Sequence, residues 1–68
     1  MSLDAELLAA HARDDRPALI ALYERAADEA ETEVAAGFYL THAYVFALEA
    51  GDTRSKALAT RLRAMGRL

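Results

Sequence analysis

Two histidines and eleven carboxylates are the side chains of this sequence with which acid–base or metal chemistry could be done. His42 stands out, because it lies among aromatic residues and shares a helical face with Glu49, two turns further on. An imidazole in that setting can sense protons or contact a ligand. Its seven-residue separation from Glu49 is longer than the i, i+4 spacing of helical metal-ligand pairs, however. The simpler account is a partly exposed histidine on a narrow polar strip, its ring packed on Phe38 or Phe46. His11 stands close to Asp14 and Asp15, but a histidine near a helix C-terminus is explained by the helix dipole. Glu24, Asp28, Glu29, Glu31 and Glu33 have the character of a solvated face. No serine or threonine sits in a nucleophile elbow, and three scattered glycines make no phosphate loop. The sequence therefore offers no catalytic residues, no metal ligands and no cofactor site.

The elements that would position these groups are helices. Ala, Leu, Glu and Arg dominate, and apolar residues recur at helical spacing. Ser2 is placed to cap a first helix from Leu3 to about Arg13, with Leu3, Leu7 and Ala10 as its stripe. Asp14-Asp15-Arg16-Pro17 marks a new start, since proline is tolerated only in the opening turn of a helix. A second helix to about Ala30 carries the stripe Leu19, Leu22, Tyr23, Ala26, Ala27 and Ala30. Glu24, Arg25, Asp28 and Glu29 fall on its outer side.

Glu31-Thr32-Glu33 is polar but has no glycine or proline. A short turn is expected there, because one unbroken helix from Pro17 to Ala50 would be far longer than small domains contain. From Val34 to Ala50 apolar residues cover most of the helical wheel, as in a helix buried nearly all round. Gly51 supplies a left-handed cap, and Asp52 starts a last helix, Thr53 to about Met65, with Leu58, Leu62 and Met65 on one side. Gly66 stops it. The expectation is one all-α domain, 1–68, of two antiparallel helical hairpins, about 3–30 and about 34–65, in a repeat-like array or small bundle.

The two hairpins carry similar turns, Asp14-Asp15 and Gly51-Asp52, 37 residues apart. That period falls in the range of helical repeats. The second unit resembles a tetratricopeptide-repeat (TPR) motif over about 30 residues: Tyr39, Ala43 and Phe46 stand at the large, small and aromatic positions, and Ser55 at the small position where the second helix crosses. It departs from the motif in its longer first helix, in Ala59 where an aromatic is usual, and in lacking the closing proline. With the stretch from Leu40 to Asp52, the whole chain resembles short bacterial TPR-like proteins. This implies a scaffold that binds proteins or peptides, and no chemistry.

Composition bears on partners. A chain this short buries only about 60% of the surface its unfolded form exposes, and without cysteine it has no disulfides to compensate. Its 54% hydrophobic content is high for its length, and the 38–48 segment is too apolar for a lone small domain. Self-association, with a dimer as the first choice, is expected to bury Phe38, Tyr39, Tyr44, Val45 and Phe46. Residues 1–52 hold eleven acids against three arginines, a net of −8, whereas 53–68 hold five bases and no acid. Arg54, Arg61 and Arg63 are thus candidates to dock an acidic partner or to touch nucleic acid. The plainer account pairs them with the acidic second helix of the same or a neighbouring chain. The overall net charge of −3 speaks against general nucleic-acid binding. No run of about 20 apolar residues suggests a membrane span, and the acidic start lacks the basic flank of a secretory signal. A cytoplasmic, non-catalytic interaction protein is the expectation, with a small nucleic-acid-associated regulator as the alternative.

Overall fold

A computed structural model describes residues 2–68 as four helices: α1 (Leu3–Ala12), α2 (Arg16–Glu29), α3 (Glu33–Ala50) and α4 (Arg54–Ala64). Each helix packs on its neighbours in the chain, and α1–α2 and α3–α4 form two hairpins with α2 against α3. The result is a slab whose Cα atoms span 31 × 29 × 11 Å. No helix is long and apolar enough to cross a membrane.

Local chemistry explains the starts of α1, α2 and α3, whereas Thr53 at the start of α4 makes no side-chain cap. The Ser2 hydroxyl accepts from the Ala5 amide at 3.1 Å, and the Asp15 carboxylate accepts from Ala18 at 3.2 Å, with Pro17 in the first turn. The break expected at 31–33 falls at residues 30–32, without glycine or proline, and Glu33 already opens α3. Ala30 turns extended, and the Thr32 hydroxyl then caps α3 by accepting from Ala35 at 3.1 Å. Side-chain capping of this kind satisfies orphan amides that the helix itself cannot.

Three helix ends share one closing turn. After α1, α3 and α4, a residue at positive φ is followed by an amide that reaches back five residues: Asp15 to Ala10, Asp52 to Ala47 and Arg67 to Leu62. This is the Schellman arrangement. Gly51 at φ 63° and Gly66 at φ 73° fill the left-handed position as expected, but after α1 it is filled by Asp14 at φ 51°. The similarity between the Asp14-Asp15 and Gly51-Asp52 turns is therefore one of backbone geometry.

The core comprises Ile20, Ala27, Leu40, Ala43, Ala47, Leu58 and Leu62, with Tyr23, Tyr39, Phe46 and Met65 among the half-buried residues packed on it. Alanines at 27, 43 and 47 keep the α2–α3–α4 contact close, since interaxial distance follows side-chain size. One expectation needs correcting. Ile20, outside the predicted α2 stripe, is completely buried, while Leu22 is only half-buried. α2 lies between α1 and α3 and so buries two rows: Ile20 and Ala27 in the main cluster, and Leu19 and Ala26 outside it.

Candidate functional site

α3 carries the residues singled out from the sequence, and its packing divides them in two. Its inner rows, Leu40, Ala43 and Ala47, face the core. Phe46 and Tyr39 also turn inward and are half-buried, so they are not free interface residues as expected. Tyr44 is likewise half-buried, at the α3–α4 groove. Phe38 and Val45 do face outward, joined by two residues outside the predicted set. Val34 is 71% exposed, Phe38 57%, Val45 44% and Leu48 54%.

With exposed Thr41, these form the series 34, 38, 41, 45, 48, whose steps of four and three are the a/d spacing of a helix–helix seam. At a rise of about 1.5 Å per residue the stripe is about 21 Å long. It holds no charged group, and its one hydroxyl is already satisfied, as Thr41 donates to the Gly37 carbonyl at 2.8 Å. The 4-3-4-3 signal is present in the sequence, but a helix apolar nearly all round conceals which of its rows is exposed.

The edges of the stripe differ in charge. On the α4 side, a groove of about 320 Å³ holds Tyr44 and Leu48 with Lys56, Thr60 and Arg63. Neither Lys56 nor Arg63 has an ion-pair partner among the described residues. On the α2 side stand His42 and Glu49, the latter 3.4 Å from Arg16. Arg54 and Arg61, expected as docking groups alongside Arg63, are engaged within the chain. Arg54 clamps Asp52 at 2.8 Å, and Arg61 reaches Asp28 of α2 at 2.9 Å. The pairing of Arg61 with the acidic second helix is the plainer of the two sequence accounts. The Asp52 carboxylate accepts from the Arg54 guanidinium and backbone amide, which holds its pKa at about 2, well below the usual carboxylate range.

His42 packs as a ring among rings. Its centroid lies 4.5 Å from Phe38 and 5.1 Å from Tyr23, stacked on the latter, and its Nδ1 is 2.9 Å from the Phe38 carbonyl oxygen. A neutral ring meets that carbonyl by donating Nδ1–H. Tyr23 also stacks on Phe46 at 5.8 Å, and its hydroxyl lies 3.0 Å from His11 Nε2, which ties α1 to the cluster. Partial burial, then the neighbouring Tyr39, raises the Tyr23 pKa above its ordinary value.

His11, Tyr23, Phe46 and His42 thus form an aromatic cluster that joins three helices. A hollow of about 190 Å³ between Thr41, His42, Val45 and Phe46 adjoins the outer stripe. A wider groove of about 420 Å³ lies between α1 and α2, and its charged residues, Glu6 and Arg13, are paired with Arg25 and Asp15. Among the described residues, no three of the His, Asp and Glu side chains gather as metal ligands. Comparison with known proteins adds nothing to this geometry: no protein family, no curated protein and no solved structure matches the chain.

Proposed function

We propose that this protein is a small, non-catalytic helical-repeat interaction module of TPR-like character, which self-associates through the outer face of α3. The single observation that supports this is the exposed series Val34, Phe38, Thr41, Val45 and Leu48. Contiguous apolar surface at seam spacing, rimmed by polar residues, is characteristic of protein-binding faces. A dimer is the simplest assembly that covers it. A protein or peptide partner would use surface that the dimer leaves open, such as the groove between α1 and α2, and a chain without cysteine suits a reducing, cytoplasmic compartment.

Sedimentation equilibrium at micromolar concentration tests this reading. A dimer is expected for the natural chain and a monomer for Val45→Asp, whose position is exposed enough to accept the charge without unfolding. A natural chain that stays monomeric up to about 100 μM, weaker than interfaces of this class sustain, ends the proposal. The nucleic-acid alternative draws less support, since Arg54 and Arg61 are occupied by Asp52 and Asp28.

A further inference from the structure

The outer stripe of α3 has no charge of its own to select a partner, but its two edges do. Lys56 lines the α4-side groove together with Leu48, so it stands near the C-terminal end of the stripe. Glu49 is at the same end on the opposite edge, turned toward Arg16 of α2. One edge is thus basic, Lys56 with Arg63, and the other bears Glu49 and His42. Two copies can join face to face about a two-fold axis in two ways. An axis perpendicular to α3 makes the seam antiparallel and sets each edge against its own kind, Lys56 and Arg63 against Arg63 and Lys56. An axis along α3 makes the seam parallel and sets each edge against the other kind at the same height.

We propose that the occupant of the stripe is a second copy of this chain, docked with the two α3 helices parallel and in register, so that Lys56 of each copy faces Glu49 of the other. This rests on the self-associating reading above and adds its geometry. Charge complementarity selects the parallel form, since like charges placed opposite each other at an interface are penalised. The a/d spacing suits it, because in a parallel seam each a and d residue meets its own counterpart. Thr41 can enter the seam because its hydroxyl already has an acceptor within α3. A stripe about 21 Å long and one helix face wide makes a small interface, against the roughly 1,200 Å² at which specific associations begin. The edge pairs therefore matter to which orientation forms.

The natural chain has no cysteine, so single substitutions read the geometry directly. Val34→Cys, Val45→Cys and Leu48→Cys are each made alone and oxidised at a concentration where the natural chain sediments as a dimer. In the parallel seam each position lies beside itself, within the Cα separation of about 4.4–6.8 Å that a disulfide accepts. All three variants should then cross-link to themselves on a non-reducing gel. Cross-linking of Val34→Cys with Leu48→Cys only when the two are mixed, with no self-linking by Val45→Cys, which then lies about 12 Å from its own copy along the seam, overturns the parallel geometry and leaves self-association standing. A monomeric natural chain with no cross-linking in any variant overturns both. As a second arm, Lys56→Glu should weaken the dimer roughly tenfold by placing like charges together, and Lys56→Glu with Glu49→Lys should restore it. An unchanged dissociation constant for Lys56→Glu overturns the edge pairing.

Discussion

Asp14 is the one described non-glycine residue at positive φ, at 51°, in a turn that α3 and α4 close with glycine. Left-handed backbone costs an L-residue roughly 1–2 kcal/mol, less for aspartate because its short side chain can bond locally. Asp14→Gly releases that strain, while the freer unfolded chain of a glycine takes back about 0.5–1 kcal/mol. The Arg16–Asp14 ion pair, 3.5 Å long and well exposed, is lost as well, at less than about 0.5 kcal/mol. Asp14→Gly is therefore expected to match the natural chain or exceed it by about 0.5 kcal/mol.

Asp14→Ala loses the same charge and the same ion pair but keeps a Cβ at φ 51°. The two variants thus differ only in backbone freedom, and glycine should be the more stable by about 1 kcal/mol. For a domain of this size that is a separation of about 4–8 °C in Tm. Far-UV circular dichroism melts at one fixed chain concentration measure it, since association shifts the midpoint. Gly51→Ala provides an internal standard: its added Cβ meets nothing within 4 Å, so its loss of about 1 kcal/mol is conformational alone. Asp14→Ala as stable as Asp14→Gly would refute the reasoning.

Other substitutions probe the packing and the turns. Ile20→Ala should lower stability by about 3 kcal/mol, and Leu22→Ala by no more than about 1 kcal/mol; equal effects in urea titrations would show that the two-row packing of α2 is wrong. Gly37 lies under the Arg67 side chain, which a Cβ would displace. Because that side chain is flexible and exposed, Gly37→Ala should still gain about 0.5–1 kcal/mol of helix propensity, and a lowered Tm would mean that Arg67 is held rigidly. Asp52 has a depressed folded-state pKa, so its contribution is fully present above about pH 4 and is lost as pH falls through about 2. The stability difference between the natural chain and Asp52→Asn should accordingly be full at pH 5 and largely gone at pH 2; a difference that persists at pH 2 would place the carboxylate elsewhere.

Much of the fold was legible because it is written in local chemistry. Ser2, Asp15, Gly51 and Gly66 each act within a few residues of themselves, where sequence is most informative. The left-handed turn at Asp14 was less visible, as no glycine announces it. Ile20 was missed because a single-stripe rule assumes one buried face, and α2 buries two. Phe46 packs on Tyr23 and His11, a direction the sequence conceals because an all-apolar helix has no polar face to orient it. The pairing of Arg61 with Asp28 spans 33 residues of chain, so only the tertiary structure could distinguish it from a free docking group.

Packing of each helix chiefly on its chain neighbours has a consequence for cooperativity. A helix at the end of such an array is held from one side, and the two ends are unequal. α4 is anchored by buried Leu58, Ala59 and Leu62, whereas α1 buries only Ala10. Beyond that alanine, α1 is tied to α2 by its half-buried leucines, the His11–Tyr23 contact and the Glu6–Arg25 pair. Its amides are therefore the ones expected to exchange with solvent through a local opening well below the global unfolding energy, while those of α3 exchange only when the whole chain opens. The protein is thus graded from a rigid centre to a loose N-terminal margin.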